Sequence, residues 1–193
     1  LIGKEKHFFI NNFVFNVIRN IPVHITKASI DPTGTHMLLA TFDGQLFYMN
    51  KDLVEAVPIV IPNPSDGTSY YVITAIKFNS NNGSDGKRLR ILLSTSNRTI
   101  MMLYIDITTM PITTSFDILY FNRKKTTAEM SPFNAVDWIE TSSTTIILAS
   151  SPSRLQKIVV NKNKEIARDE SILDMPLKTE PDTGYFSLIK DVD

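Results

Sequence analysis

The feature that most constrains this chain is a unit of strand, turn, strand, turn and strand that recurs along it. Its clearest copy runs from Val23 to Ile30, turns at Asp31-Pro32-Thr33-Gly34, continues through Met37-Leu38-Leu39-Ala40, turns at Asp43-Gly44 and ends in Leu46 to Met49. Each run is short, apolar or alternating, and rich in β-branched and aromatic residues, which is the period of a strand rather than of a helix. The breaks have a mechanism. Pro32 presets φ for the first central turn position, Asp31 can hydrogen-bond the backbone that follows it, and Gly34 accepts a conformation other residues resist. Asp43-Gly44 reads as a two-residue hairpin turn.

The plan returns at Val72 to Phe78, where alternation places Val72, Thr74, Ile76 and Phe78 on one face, followed by Leu89 to Leu93 and Thr99 to Ile105. The polar stretch Asn79 to Lys87 links its first two strands. A third copy reads Asn134 to Ile139, Thr145 to Ala149 and Leu155 to Val160, with Val136 and Trp138 sharing a face. With Ile30, Phe78 and Ile139 as equivalent ends of the first strand, the copies lie 48 and 61 residues apart, near the blade lengths of propellers with inserted loops. Val57 to Ile61 and Ser115 to Phe121 would be outer fourth strands. Continuous apolar runs such as Met37 to Ala40 and Ile146 to Ala149 fit strands buried on both faces between neighbouring blades.

The expected fold is therefore all-β, a WD-repeat-like β-propeller with three to four blades, one partial domain over 1–193 with blade units near 21–61, 70–121 and 133–193. A β-sandwich of similar strand count competes. Closed propellers have about four to eight blades, so the ring is expected to be part of a larger one. A start at Leu1 rather than Met points to an excised fragment. An incomplete ring leaves an exposed edge strand, so the chain is expected to associate. The tail from Glu165 to Asp193 has a charged start, and with Pro176, Pro181 and Asp182-Thr183-Gly184 it reads as loop, after which Tyr185 to Ile189 could open another strand.

Charge and composition remove whole classes of function. Twenty basic residues against twenty acidic ones give zero formal charge, so no long-range field draws the chain onto nucleic acid or an acidic membrane surface. No nucleic-acid partner is expected. Zero cysteine excludes disulfides, thiolate nucleophiles and Cys-based zinc sites, and favours a reducing compartment, by default the cytosol. No run approaches the roughly 18 apolar residues of a membrane span, and Lys4, Glu5 and Lys6 with Asn11 and Asn12 make residues 1–20 neither anchor nor signal peptide.

Chemistry-bearing patterns are thin. His7, His24 and His36 share no ligand spacing with one another or with a carboxylate, so no metal is expected. Ser29, Asp31 and His36 hold the residue types of a nucleophilic triad, but Asp31 has its turn role and no nucleophile elbow surrounds Ser29. Glu55, Asp66, Asp85 and Asp106 share no spacing that selects a pair for glycoside hydrolysis. Asp137-Trp138 is the reverse of the WD dipeptide and sits in a first strand, which makes Trp138 a core aromatic and Asp137 a solvent-facing residue. The loop Asn81-Asn82-Gly83-Ser84-Asp85-Gly86-Lys87 lacks the order of a phosphate-binding loop. Lys87-Arg88-Leu89-Arg90 and Arg123-Lys124-Lys125 read as solvated loops rather than phosphate or lipid-headgroup contacts. Asn82-Gly83-Ser84 and Asn97-Arg98-Thr99 match the N-glycosylation acceptor, a short motif that chance explains. No catalytic residue and no cofactor are expected.

One segment carries a family resemblance. Ile25-Thr26-Lys27-Ala28-Ser29-Ile30-Asp31-Pro32-Thr33-Gly34-Thr35-His36 followed by Met37 to Ala40 resembles the signature of the amino-terminal propeller of the deep orange family, the class C vacuolar protein sorting subunits. There a strand leads into Asp-x-Thr-Gly-Ser/Thr-His and an apolar strand. Asp117-Ile118-Leu119-Tyr120-Phe121 resembles the family's later Asp-Leu-Tyr strand, and Gly184-Tyr185-Phe186-Ser187-Leu188 a Gly-Tyr-Ser-x-Leu segment. The resemblance implies a non-enzymatic scaffold in the HOPS and CORVET tethering complexes, where a propeller, a helical solenoid and a RING domain make up each large subunit. Without cysteine this chain holds no RING. Implied partners are other class C subunits and, indirectly, SNARE and Rab proteins; the implied location is cytoplasmic, peripheral on late endosome and vacuole or lysosome membranes. Asp31, Pro32, Thr33, Gly34 and His36 are then signature residues with a structural role. Propellers of another trafficking coat or of the nuclear pore, and a propeller glycosidase or lactonase, are the alternatives.

Overall fold

The computed structural model describes residues 8–10, 13–15, 24–50, 56–62, 72–79, 87–109, 111–121 and 131–174. Strands β1 (Phe8–Ile10) and β2 (Phe13–Phe15) form a short antiparallel pair. Three four-stranded antiparallel sheets follow, each a meander in which sequence neighbours are sheet neighbours. The first holds β3 (Ile25–Ile30), β4 (His36–Thr41), β5 (Leu46–Asn50) and β6 (Val57–Ile59); the second β7 (Ile73–Phe78), β8 (Arg88–Thr95), β9 (Thr99–Asp106) and β10 (Thr113–Phe121). The third holds β11 (Ala135–Glu140), β12 (Thr144–Ser151), β13 (Arg154–Asn161) and β14 (Ile166–Asp174). No helix occurs among the described residues. The first strands of successive sheets, β3, β7 and β11, lie side by side. That is the radial stacking of propeller blades, and it decides against a two-sheet sandwich.

Two apolar interfaces join the blades. Leu38, Ala40, Leu46, Tyr48 and Ile59 of the first blade pack on Ile73, Phe78, Leu89, Ile91, Leu93, Met101 and Leu103 of the second. The other face of the second blade presents Leu92, Ile100, Met102 and Tyr120 to Phe133, Val136, Trp138, Ile147, Ala149 and Ile158 of the third. Strand alternation is the cause, since odd and even residues of β8 and β9 serve opposite interfaces. Burying one such side chain contributes about 1.5–3 kcal/mol.

The run Met37 to Ala40 is buried on both faces as expected. The run Ile146 to Ala149 is not, because Ile147 and Ala149 are buried while Ile146 and Leu148 stay half-exposed. In β7 the expected face of Val72, Thr74, Ile76 and Phe78 is broken. The register with β8 shifts between Ile73 and Ala75, so Thr74 is the extra residue of a bulge, and Ile73 joins Ile76 and Phe78 in the first interface. β3 repeats this bulge at Thr26, between Ile25 and Lys27.

Three hairpins share one turn. Gly44 N donates to Thr41 O at 3.1 Å, Arg98 N to Thr95 O at 2.9 Å and Lys164 N to Asn161 O at 3.0 Å. Gly44 (φ 82°), Arg98 (φ 65°) and Lys164 (φ 64°) close the loops in the left-handed region. A type I turn plus one left-handed residue makes a three-residue loop, so the turn at Asp43-Gly44 spans Phe42, Asp43 and Gly44 rather than two residues. Thr41 explains the extra residue: its Oγ1 donates to Asp43 Oδ1, and Gln45 N donates to that hydroxyl at 3.0 Å. Thr95 does the same with Asn97 and Thr99.

Two readings of the sequence need correction. The start of the tail is the strand β14, nine residues paired to β13, and not a loop. Lys87-Arg88-Leu89-Arg90 is not a loop either: Arg88 opens β8 and Leu89 is core. Arg123-Lys124-Lys125, Asn81 to Gly86, Glu55, Asp66, Pro176, Pro181, Asp182-Thr183-Gly184 and the segment Gly184 to Ile189 lie outside the described residues.

Candidate functional site

Asp31 sits between β3 and β4, where its own strand turns back, and it is 3% exposed. Its Oδ1 accepts Thr35 N at 2.8 Å and His36 N at 2.7 Å; its Oδ2 accepts Thr33 N at 3.2 Å and Thr33 Oγ1 at 2.5 Å. Backbone bonds from Gly34 N to Asp31 O and from Asp31 N to His36 O, both 2.9 Å, close the loop. Gly34, buried at φ 71°, supplies the left-handed residue, and Pro32 and Thr33 are exposed on its outer side. A buried carboxylate holding four donors is strongly stabilising, because its charge strengthens each bond. The turn uses an acceptor at Asp31, a hydroxyl at Thr33 and, at Gly34, the residue that takes the left-handed conformation most readily.

His36 completes the arrangement. Its Nδ1 lies 2.7 Å from Tyr48 Oη, and the two rings stack at 5.9 Å and 20°. Burial pushes the Tyr48 hydroxyl up to about 12, and the nearby Asp31 charge adds to the rise while Asn50 opposes it. The structure thus brings Asp31, Thr33, Gly34 and His36 into one network, with Tyr48, which sequence reading missed, as its far end. Asp31 and His36 are committed to these bonds, which leaves no triad with Ser29.

A second polar cluster lies between the second and third blades. Arg98, 4% exposed, sets its guanidinium 4.6 Å from the Phe133 ring centroid and donates to Gln156 Oε1 at 3.1 Å. Gln156 Nε2 donates to Tyr120 Oη at 3.2 Å and to Asp169 Oδ1. Burial raises Tyr120, with Asp169 adding to the rise. Arg90 pairs with Glu140 through two hydrogen bonds, one at 2.7 Å, and covers the Trp138 ring at 5.3 Å. The Glu140 bond holds the Arg90 guanidinium above its ordinary value despite burial. Lys164 reaches Asp117 at 2.7 Å and Lys77 reaches Asp137 at 3.8 Å. Trp138 is core, as expected, and Asp137 is half-exposed on the inner strand.

Two clefts accompany these groups. One of about 140 Å³ lies along the inner strands, lined by Lys27, Thr74, Lys77, Asn134 and Asp137. The other, about 170 Å³, lies over Arg90, Tyr104, Glu140, Thr144 and Lys162. Hydrolysis by paired carboxylates needs two carboxyl groups across one bond; the inner cleft is lined by one, Asp137, facing Lys77, and the outer by Asp117 and Glu140, which are paired with Lys164 and Arg90. No group of three or more His, Asp or Glu residues that could hold a metal occurs among the described residues.

The fold and the turn network define a β-propeller domain. The chain belongs to the Pep3/Vps18/deep orange β-propeller domain family, whose model matches residues 10–188. The Asp31–His36 turn lies within the match. Among solved structures, the β-propeller domain of Myceliophteria thermophila Cps50 (Swd1) is similar at 16% identity and a TM-score of 0.43, over 77% of this chain and 44% of that one. No curated protein matches.

Proposed function

We propose that this propeller is a non-enzymatic scaffold of a membrane-tethering subunit acting in the HOPS and CORVET complexes. Membership of the Pep3/Vps18/deep orange propeller family carries the reading. Its partners are the other class C subunits and, through them, SNARE and Rab proteins. It works at the cytoplasmic surface of late endosomes and the vacuole or lysosome, in docking and fusion. The geometry is compatible, because a rigid stack of blades presents loops for contacts. In this reading Asp31, Pro32, Thr33, Gly34 and His36 fix the first blade and touch no partner.

The experiment is affinity purification of the full chain from its source cells, with mass spectrometry of the retained proteins. Recovery of other class C subunits is the expected result. Coat or nuclear-pore components in their place would overturn the complex assigned. Asp31→Asn should lower stability and leave retention of partners unchanged at a temperature where the variant is folded; specific loss of one partner would make the turn a contact site.

A further inference from the structure

The seam between the second and third blades opens at one end into the cleft of about 170 Å³. A cavity of about 150 Å³ holds benzene, so the cleft has room for one side chain of that size. Its floor is hydrocarbon, because Met102, Leu119 and Val160 line it and are themselves 1%, 7% and 1% exposed. An apolar group entering from solvent would cover what is left of them.

Most of the charge in its walls is committed within the protein. Glu140 takes both Arg90 bonds, and Asp117 takes Lys164 at 2.7 Å. Asn161 and Thr144 are tied into their own turns, the first donating to Glu165 and the second bonded to the Thr141 hydroxyl at 2.9 Å. Among the described residues, the side chains of two that line the cleft, Lys162 and Thr145, have no hydrogen bond or ion pair. Strand alternation brings them together. Thr145 precedes by two the residue Ile147, which faces the second blade, and it pairs with Val160, which Lys162 follows by two. Three lining cations, Arg90, Lys162 and Lys164, stand against the two carboxylates Asp117 and Glu140, so the uncompensated charge is that of Lys162. An apolar floor with an unpaired ammonium and an unpaired hydroxyl selects an apolar group that carries a single negative charge beside it. A phosphoryl dianion fits less well, because Asp117 and Glu140 would repel it.

We propose that this cleft is a docking site for a partner polypeptide that presents an apolar side chain next to an acidic one, the apolar group resting on Met102 and Leu119 and the carboxylate meeting Lys162 and Thr145. The choice of a polypeptide over a small acid rests on the scaffold reading above. The contact is small and its ion pair is exposed, so by itself it is weak.

The test is an NMR titration of the full chain with a heptapeptide, acetylated and amidated, that carries phenylalanine followed by glutamate at the centre of a glycine-serine background. Saturable shifts at Leu119, Thr145 and Lys162 are expected. Replacing the peptide's glutamate by glutamine should weaken binding about two- to fivefold, as loss of an exposed ion pair does, and replacing its phenylalanine by serine should abolish it. Lys162→Gln should weaken the glutamate peptide by the same factor and leave the glutamine peptide unchanged. Lys162 is exposed, so that variant keeps its fold, which unmoved signals elsewhere would verify. Absence of saturable shifts at millimolar peptide would overturn the proposal. So would shifts centred on other residues, equal binding of the serine peptide, or a Lys162→Gln loss that is the same for both peptides. The probe needs no tethering partner, so its failure leaves the complex assignment standing, and failure of that assignment leaves the chemistry of the cleft to this titration.

Discussion

The two interfaces between blades are held by different means. Between the first and second, Leu38, Tyr48, Ile91, Leu93 and Leu103 form a hydrocarbon seam. Between the second and third, a comparable seam is framed by Arg90–Glu140, Lys164–Asp117, Lys77–Asp137 and the buried Arg98–Gln156 contact. The difference teaches which part of a repeat tolerates local reading. Apolar contacts follow from alternation within single strands, whereas the polar frame joins residues from 47 to 60 positions apart that no local pattern pairs.

The largest expected effect breaks the apolar side of that comparison. Leu93→Ala, at a fully buried site of the first interface, should lower the free energy of unfolding by about 2–5 kcal/mol. Leu148→Ala, half-exposed in β12, should cost clearly less. Urea denaturation at one pH measures both; equal losses would mean that Leu148 is packed as tightly as Leu93. Next comes the buried polar contact. Arg98→Met removes the guanidinium from Phe133 and Gln156 and should cost about 1.5–3 kcal/mol, the range for hydrogen bonds to charged groups. Arg98→Gly would lose the same contacts but relieve the left-handed backbone at φ 65°, and should therefore be the milder change. The same melts, ranked against each other, check that order.

How much of this was legible follows from the same contrast. The nine inner and middle strands of the three blades are announced by short apolar runs, and the first turn by Asp31, Pro32 and Gly34, because those residues act on their own backbone. β14 is hidden for two physical reasons. An outermost strand covers little core, so Arg168, Asp169 and Glu170 can occupy it, and its entry turn puts Lys164 rather than glycine in the left-handed position. The bulges at Thr26 and Thr74 are equally silent, since a threonine hydroxyl that bonds back to Ala40 O or Ser94 Oγ looks like any strand threonine. Tyr48 reads as one more core aromatic; only the folded register with His36 and Asn50 reveals its polar role.

Tyr48 offers a pH test specific to the first interface. Its folded-state value, about 12, lies above the unfolded value of 10.0. The folded form therefore keeps its proton where the unfolded form loses it, so the stabilisation is complete below pH 10 and declines as pH rises towards 12. Tyr48→Phe should flatten that decline and, by removing one hydrogen bond to His36, cost about 0.5–1.5 kcal/mol at neutral pH. Denaturation midpoints from pH 8 to 11 read both effects. An unchanged alkaline slope in the variant would assign the decline to the other raised tyrosines, Tyr104 and Tyr120, at the second interface.

The smallest expected effect sharpens the comparison through salt. Arg90 and Glu140 are partly exposed, 23% and 40% by side chain, so their attraction is screened and worth about 0.2–1 kcal/mol. Glu140→Gln removes the charge and keeps an acceptor, while Arg90 retains Trp138 and Tyr104 beneath its guanidinium. The loss should therefore shrink as sodium chloride is raised from low ionic strength to about 1 M, where the Debye length falls to about 3 Å. Leu93→Ala should keep its full cost across the same series, because burial of hydrocarbon does not depend on screening. Parallel salt dependence in the two variants would mean that the charged frame carries no separate share of the second interface, and that both seams are held by packing alone.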